Sequence, residues 1–241
     1  MYYNQAMREP DRDKFLEAAH KEFNDVLDKG ILTLVDASEV PKNTTIFPAV
    51  WSMKRKRKVL TREVYKWKAR LNLDGSKQIK GIHYDQTFAP VASWESIRIL
   101  LSLVLRNNWK TMQLDYVQAY PQSPNHMQHF MKIPQGMEND DNRGKVLRVD
   151  KNIYGQRSAS RTWWLYLKDK LLSIGFKQSE HDDCVFYKGN AIYVLYTDDS
   201  ILAGPDEKEL ESIYAKMRST GLDMTKEEGG LDDFLGVNIE R

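Results

Sequence analysis

The sequence has a single cysteine and no long apolar run, and both scarcities exclude whole classes of protein. Because Cys184 is the one cysteine among 241 residues, neither an internal disulfide framework nor a cysteine-cluster zinc site can form. No apolar segment approaches the ~20 residues that a membrane-spanning helix needs. The first residues also lack the apolar centre of a signal peptide. We therefore expect a soluble, intracellular protein without a membrane partner.

Histidine is scarce as well and is poorly spaced for metal binding. The five histidines lack the His-Glu-x-x-His pattern of zinc hydrolases. The segment from His181 to Cys184 offers suitable ligand types. However, neighbouring residues of an extended segment point to opposite faces and cannot easily surround one ion. Zinc chemistry is therefore not favoured.

The net charge is small because two regions of opposite sign cancel. The total is +2, whereas residues 51–80 contain eleven Lys or Arg residues and two acids, which leaves the rest of the chain at −7. Cations in this stretch alternate with apolar and aromatic residues, namely Val59, Leu60, Val64, Tyr65 and Trp67. This pattern predicts a hairpin that lies along a phosphate backbone. A nuclear-import signal and a plain solvated face are the alternatives.

Two adjacent carboxylates stand between two strand-forming runs near the end of the chain. Asp198 and Asp199 lie between Ala191–Tyr196 and a second run that contains the apolar residues 201–203, which predicts a hairpin with negative charge at its tip. Adjacent carboxylates repel each other, and a divalent cation would compensate for their charge. The pattern therefore favours metal-dependent chemistry on phosphates, with a solvated turn as the alternative.

Apolar residues at helical spacing predict four helices, around residues 15–27, 97–105, 164–174 and 210–217. Residues 109–117 read as a strand that carries Asp115. From this strand onward the order is strand, helix, hairpin, helix, strand, which is the split βαβ or ferredoxin-like arrangement. In that topology Asp115 would lie near Asp198 and Asp199. Three such acids suit two-metal phosphoryl transfer.

A series of motifs extends over nearly the whole chain. They are Tyr65–Leu71, Tyr84–Val91, Leu114–Tyr120, Ile153–Arg161 with Trp164, Tyr196–Asp199 and Phe234–Gly236. In this order they closely resemble the reverse transcriptase of copia-type LTR retrotransposons. The resemblance implies an α+β right-hand polymerase, with a fingers region at residues 1–109 and a palm at 110–241. The palm would be a ferredoxin-like antiparallel sheet packed on helices. We expect the thumb, connection and ribonuclease H segments to be absent from this chain.

The resemblance also implies a role for each matched residue. The catalytic acids that hold two magnesium ions, or manganese in their place, would be Asp115, Asp198 and Asp199. The nucleotide would be bound by Lys68, Arg70, Tyr120, Gly155 and Arg157, with Tyr120 as a steric gate against a 2′-hydroxyl. The primer grip would consist of Phe234, Leu235 and Gly236. The nucleic-acid backbone would be contacted by Lys54, Arg55, Lys56, Arg57, Lys58 and Arg161. Lys226 is a candidate for the acid that protonates pyrophosphate.

The expected function is RNA-directed DNA polymerisation from deoxynucleoside triphosphates on an RNA or DNA template with a primer. Expected partners are other polyprotein segments, such as integrase and ribonuclease H. We expect a cytoplasmic location inside retrotransposon particles, with nuclear entry left open. Two alternatives are a catalytically decayed, nucleic-acid-binding relic and a metal-dependent nuclease. A nuclease has no use for a steric gate or a primer grip.

Overall fold

A computed structural model describes residues 1–58, 61–227, 231, 233–235 and 237–238 of the chain. The helices are α1 (Tyr3–Ala6), α2 (Arg12–Asp28), α3 (Trp94–Asn107), α4 (Ala159–Ser173) and α5 (Glu207–Ser219). The strands are β1 (Leu32–Asp36), β2 (Ile46–Phe47), β3 (Ala49–Arg57), β4 (Val64–Leu73), β5 (Lys110–Tyr116), β6 (Pro124–Met131), β7 (Lys145–Lys151), β8 (Lys177–Gln178), β9 (Val185–Lys188), β10 (Ala191–Tyr196), β11 (Asp199–Gly204), β12 (Met224–Lys226), β13 (Asp233–Phe234) and β14 (Val237–Asn238). No helix in the described ranges combines the length and the apolarity that crossing a membrane requires.

The chain divides into two compact units, and each unit is built from two separate segments. Unit 1 comprises Met1–Thr87 and Ser123–Thr162, whereas unit 2 comprises Phe88–Gln122 and Trp163–Arg241. The sequence suggested a single cut after residue 109. The observed division differs because β7 pairs in antiparallel register with β1, which returns the chain to unit 1 after β5.

Unit 1 contains a sheet with strand order β1-β7-β6-β2 and a separate long hairpin formed by β3 and β4. In the sheet, β2 runs parallel to β6, and the other pairs are antiparallel. Helix α2 packs against β4. Phe15 and Phe23 of this helix lie in the same buried cluster as Met53 and Leu71 of the hairpin. One face of α2 thus covers one face of the hairpin.

Unit 2 is organised around an antiparallel sheet with strand order β12-β5-β11-β10-β9-β8. Strand β5 lies between β11 and β12, so it pairs with the second strand of the late hairpin on one side. Apolar residues of α3, α4 and α5 share one buried cluster with residues of this sheet. The predicted α+β character is confirmed at this level, as a mixed structure with several sheets.

The helices expected from apolar periodicity are confirmed as α2, α3, α4 and α5. Glycine follows three of them in the left-handed conformation, with φ of 58° at Gly30, 89° at Gly175 and 91° at Gly221. This is the usual way in which a helix ends, because glycine has no Cβ to clash there. At the start of α3, the Ser93 hydroxyl accepts a hydrogen bond from the Ser96 N–H at 3.1 Å.

An internal ion-pair group joins the N-terminal segment of unit 1 to the hairpin. We call this group the N-terminal clasp; it consists of Glu9, Asp11, Arg55 and Trp67. The Arg55 guanidinium donates to both oxygens of Asp11, at 2.6 and 2.8 Å, and to Glu9 at 2.7 Å. The Trp67 indole N–H donates to the same Asp11 carboxylate at 2.6 Å. Hydrogen bonds from Arg55 hold the pKa of Asp11 well below its ordinary value, despite the opposing effect of burial.

Two glycines allow two segments of unit 1 to cross at backbone contact distance. A Cβ added to Gly155, which has φ of 90°, would lie 2.1 Å from the Leu73 carbonyl oxygen. A Cβ added to Gly75 would lie 2.0 Å from the Gly155 carbonyl oxygen. The crossing also carries a backbone hydrogen bond from the Leu73 N–H to the Tyr154 carbonyl at 2.9 Å. Side chains are therefore excluded on both sides of this crossing.

We predict that Gly155→Ala destabilises the chain more than Gly81→Ala does. Gly81 has a similar φ of 80° but no atom within 4 Å of an added Cβ. Both substitutions place a side chain in the left-handed region, at a cost of about 1–2 kcal/mol. The clash at Gly155 should add a further ~1–3 kcal/mol. Urea unfolding of the two variants measures the difference, and equal losses of stability would contradict the close crossing.

We predict that the N-terminal clasp makes stability depend on acidic pH. Because the folded pKa of Asp11 is depressed below the unfolded value of about 3.9, its carboxylate stabilises the fold above about pH 4. This contribution is lost as the pH falls below that value. Urea midpoints should therefore drop more steeply on acidification for the parent than for Asp11→Asn.

The matched control for this measurement is Asp13→Asn. The Asp13 side chain is 88% exposed and lies in the first turn of α2. Its replacement should leave the acid-induced loss of the parent unchanged. If Asp11→Asn and Asp13→Asn gave the same pH profile, the clasp would not stabilise the fold.

Candidate active site

Two of the predicted catalytic acids lie directly opposite each other on neighbouring strands of unit 2. Asp115, near the end of β5, pairs in register with Asp199, the first residue of β11. Residues directly opposite each other in an antiparallel pair project from the same face of the sheet. Asp198 lies in the two-residue turn that follows Tyr196, immediately before Asp199. Segments more than eighty residues apart in the sequence thus meet at one end of the sheet.

This placement concentrates negative charge. Like charges on directly opposite residues of an antiparallel pair repel each other when both are ionised. Asp115, Asp198 and Asp199 are all half-buried, so water screens them incompletely. Their oxygen donors are of the kind that magnesium prefers. In the described part of the chain, no group of three or more His, Cys, Asp or Glu side chains is arranged to hold a metal ion.

The turn that carries Asp198 has a strained backbone. Thr197 has φ of 61°, a value that β-branched residues rarely adopt. Such strain persists only where the surroundings enforce it, and it is common at functional sites. Here the indole N–H of Trp163 donates to the Thr197 carbonyl at 3.0 Å. Trp163 is itself fully buried in α4, so the turn is anchored to the core of unit 2.

A buried polar contact aligns the strands behind the acids. The hydroxyls of Tyr116 and Tyr193 lie 2.7 Å apart, and the Ser200 hydroxyl donates to the Leu114 carbonyl at 3.2 Å. Burial raises the pKa of both phenols well above the ordinary value, so they remain protonated at neutral pH. The ring of Tyr116 also meets Trp163 edge-on at 5.0 Å. These interactions stabilise the register that opposes Asp115 and Asp199.

The register of β12 distinguishes Lys226 from its neighbour Thr225. Thr225 pairs with Asp115 and therefore shares its face, whereas Lys226 pairs with Leu114 on the opposite face. The Lys226 ammonium donates to Glu211 of α5 at 2.5 Å, and this bond raises its pKa. Lys226 is thus turned away from the acids, contrary to the candidate role as proton donor. Thr225 carried no motif and could not be found from the sequence.

Tyr120, the predicted steric gate, lies in a short 3-10 turn over Tyr120–Gln122, shortly after β5. Its ring is half-buried and packs against the core of unit 2. Pro121 is buried beside it. The turn therefore places an aromatic side chain in the same unit as Asp115, a few residues further along the chain.

The predicted primer grip lies in a second tight hairpin of unit 2. Phe234 of β13 pairs with Val237 of β14, and Phe234 is buried. Leu235, in the turn, has φ of 54°. Gly236, the third predicted residue, lies outside the described residues. The two described members therefore differ, with one side chain in the core and one at a strained turn.

The basic hairpin of unit 1 presents a ladder of like charges. Lys54 pairs with Lys68 and Lys56 pairs with Lys66, and all four side chains are exposed. We call these four residues the lysine ladder. Like charges directly opposite each other destabilise a hairpin, typically by some ~0.2–1 kcal/mol for each pair. The arrangement suits a polyanion that would neutralise it. Val59 and Leu60 of the predicted hairpin pattern lie outside the described residues.

The run from Lys54 to Lys58 does not form one surface. Arg55 lies on the opposite face of β3 from Lys54 and Lys56 and belongs to the N-terminal clasp. Arg57 donates to the Arg62 carbonyl at 2.9 Å, and Lys58 pairs with Glu63 at 3.3 Å. A strand period of two explains the separation.

Lys68 and Arg70 share a patch of unit 1 with an acid that the sequence did not indicate. Desolvation, followed by repulsion from Arg70 and Lys56, lowers the pKa of Lys68. The Arg70 guanidinium stacks 3.9 Å from the centre of the Tyr154 ring. Glu22 of α2 accepts a hydrogen bond from the Leu71 N–H at 3.3 Å, and burial raises its pKa. No motif marks Glu22, because its position depends on how α2 packs on β4.

Arg157 is positioned by the glycine crossing in unit 1. Its backbone N–H donates to the Gln78 side-chain oxygen at 2.8 Å, and its Nε donates to the Gly75 carbonyl at 2.9 Å. Gly155 has a clear backbone role at this crossing. Arg161 follows in the first turn of α4 and is half-buried.

Comparison with known proteins agrees with this picture. The family model described as reverse transcriptase (RNA-dependent DNA polymerase) matches residues 31–241. The chain is also similar to three retrovirus-related Pol polyproteins of plant transposons. It is 28% identical to that of TNT 1-94 from Nicotiana tabacum, over 98% of this chain and 18% of the relative. It is 31% identical to that of RE2 from Arabidopsis thaliana, over 98% and 16%.

The third relative is the Pol polyprotein of RE1 from Arabidopsis thaliana, which is 32% identical over 83% of this chain and 14% of the relative. The chain thus spans less than a fifth of the length of these relatives. The predicted resemblance to copia-type retrotransposon proteins is confirmed by these matches. Its motifs, its fold and its relatives agree, and the chain belongs to the reverse transcriptase (RNA-dependent DNA polymerase) family.

Proposed function

We propose that this chain extends a primer 3′-hydroxyl with deoxynucleotides on an RNA or DNA template, using two magnesium ions. The observation that carries the proposal is the register of Asp115 against Asp199, with Asp198 in the adjoining turn. In a member of the reverse transcriptase family, this is where paired metal ions would be needed. Bound cations would compensate for the negative charge that three neighbouring acids bring to this end of the sheet.

Unit 2 is the proposed palm and unit 1 the proposed fingers. The position of β5 between β11 and β12, with α4 and α5 connecting these strands along the chain, supports a split βαβ palm. The long basic hairpin supports the fingers assignment for unit 1. With this assignment, residues 88–122 belong to the palm and residues 123–162 to the fingers.

The three acids have distinct proposed tasks. Asp115 and Asp198 would be the principal ligands of magnesium, and Asp199 would complete the negative site. When bound, magnesium lowers the pKa of the primer hydroxyl and neutralises charge on the departing pyrophosphate. Trp163 anchors the turn at Thr197. Asp198 would therefore already be in place before the reaction, and no free energy of reorganisation would be needed.

The other matched residues have proposed roles in binding the nucleotide and the nucleic acid. Lys68 and Arg70 would bind the triphosphate, and Arg157 would line the nucleotide. Tyr120 would exclude a 2′-hydroxyl by collision with its ring. Phe234 would support the primer end together with Leu235 and Gly236. Because the relatives are Pol polyproteins, other polyprotein segments are the proposed protein partners.

We predict that Asp198→Asn abolishes RNA-templated primer extension, with a loss of at least about a hundredfold. The substitution removes a metal-ligating charge but almost no volume, so binding of primer-template should persist. The assay is extension of a labelled DNA primer on an RNA template with magnesium, and with a chelator in its place. Asp169→Asn, at an exposed position of α4, is the matched control.

The same assay separates the alternatives. Magnesium-dependent extension by the parent and by Asp169→Asn, but not by Asp198→Asn, is the expected result. If the parent bound primer-template but did not extend the primer, it would be a catalytically decayed relic. Shortening of the primer would indicate a nuclease. Full extension by Asp198→Asn would remove this residue from the proposed site.

We predict that the lysine ladder binds nucleic acid in a salt-sensitive manner. Replacing Lys54, Lys56 and Lys66 by Gln should weaken primer-template binding and flatten its salt dependence. The slope of log K against log salt is negative. For each phosphate that is no longer neutralised by a lysine, its magnitude should decrease by about 0.9 on duplex and about 0.7 on single strands. Lys68 is kept, because it is assigned to the triphosphate.

The control is Lys21→Gln, an exposed lysine of α2 that pairs with Asp25 at 3.6 Å. It removes a positive charge from the same unit without touching the hairpin. Its slope should match that of the parent. An unchanged slope in the triple variant would mean that the lysine ladder faces solvent throughout the reaction.

A further inference from the structure

The side chain of Gln122 closes the turn that carries Tyr120. Its carboxamide N–H group donates to the Val117 carbonyl at 2.8 Å and to the Asp223 carbonyl at 2.7 Å. Its carboxamide oxygen accepts a hydrogen bond from the Asp223 N–H at 2.9 Å. All three bonds lie within unit 2. One side chain therefore acts as an additional peptide group between two segments.

The two segments joined by Gln122 are those that flank Asp115. Val117 follows the last residue of β5, and Asp223 precedes the first residue of β12. The backbone supports the same junction, because the Val117 N–H donates to the Asp223 carbonyl at 3.0 Å. Thr225, two residues after Asp223, pairs with Asp115. The Gln122 carboxamide is thus tied on both sides to strands whose register includes the acid.

Gln122 also belongs to the same 3-10 turn as Tyr120. Its backbone N–H donates to the Ala119 carbonyl at 3.1 Å, so both the main chain and the side chain of Gln122 restrain this turn. Without the carboxamide, the end of the turn would lose its side-chain bonds to Val117 and Asp223. The carboxamide of Gln122 therefore ties the turn that carries Tyr120 to both strands around Asp115.

We infer that Gln122 is a positioning residue that sets the ribonucleotide discrimination of Tyr120. This inference rests on the proposed polymerase function and on Tyr120 as the gate. A gate that works by collision requires its ring at a fixed distance from the sugar, and a displacement of about 1 Å can change a rate by about a hundredfold. In this role Gln122 would act through Tyr120 and not through a contact of its own with the nucleotide or the metal ions.

The test is a comparison of Gln122→Met with the parent in RNA-templated extension. Methionine has a similar length and fills similar space, but it cannot reproduce the three hydrogen bonds. The measured quantity is the ratio of kcat/KM for a deoxynucleotide to kcat/KM for the matching ribonucleotide. We expect this ratio to fall by about tenfold or more, mainly through faster ribonucleotide incorporation.

The control variant is Gln178→Met. Gln178 also lies in unit 2, on β8 at the far edge of the sheet, and its carboxamide donates to the Asp183 carbonyl at 2.8 Å. This variant removes a comparable hydrogen bond at a site that is remote from the Tyr120 turn. Its discrimination ratio should therefore equal that of the parent. Thermal unfolding of both variants reports any general loss of stability.

A double variant separates positioning from an independent effect. If Gln122 acts through Tyr120, then Tyr120→Ala combined with Gln122→Met should discriminate no worse than Tyr120→Ala alone. If the loss of discrimination in the double variant equalled the product of the losses in the two single variants, the inference would be overturned. A parent-like ratio in Gln122→Met would overturn it as well.

Two further outcomes are also informative. If Gln122→Met unfolded while Gln178→Met stayed folded, Gln122 would be a structural residue, and the positioning role would be rejected. If the parent itself did not extend a primer, the proposed function would fail and this inference with it. Failure of the inference alone would look different. In that case the parent would extend the primer and discriminate against ribonucleotides, and Gln122→Met would discriminate equally well.

Discussion

The antiparallel register of β5 between β11 and β12 is the constraint on which the rest of the candidate site depends. It opposes Asp115 to Asp199 and assigns Thr225 and Lys226 to different faces. A shift by one residue would send every side chain of a strand to the other face of the sheet. The buried hydrogen bond between Tyr116 and Tyr193 opposes such a shift, because a slipped strand would leave phenol groups without partners in the core.

Local features of the chain were predictable from the sequence, because they depend on nearby residues. Helix α2 follows from its apolar spacing and its terminal glycine, and the tip with Asp198 follows from two apolar runs around a turn. The resemblance extended this to the candidate catalytic acids. Strands β6 and β7 were not predicted, since β7 depends on pairing with β1 more than a hundred residues earlier. The interleaved units follow from the same long-range pairing.

Site residues that depend on register or packing escaped prediction for the same reason. The run Lys54–Lys58 looks uniform in the sequence, yet Arg55 turns inward to Asp11 while Lys54 and Lys56 face outward. Lys226 has a suitable residue type but lies on the opposite face from Asp115. Glu22 and Gln122 lack any motif, because their hydrogen-bond partners come from other segments. Residue type therefore indicated candidate residues, and strand pairing decided which of them lie on the same face.

The interleaving of the two units has a consequence for how the chain can be divided. Unit 1 cannot be produced as one uninterrupted fragment, because β6 and β7 come after residues 88–122 of unit 2. A fragment ending at residue 122 would lack both central strands of this sheet, so β1 and β2 would have no partner strands. Folding of unit 1 must also bring together strands across that intervening segment, with the entropy cost of closing a long loop. A foreign domain is therefore better inserted at a surface turn within one unit than at the positions where the chain passes from one unit to the other.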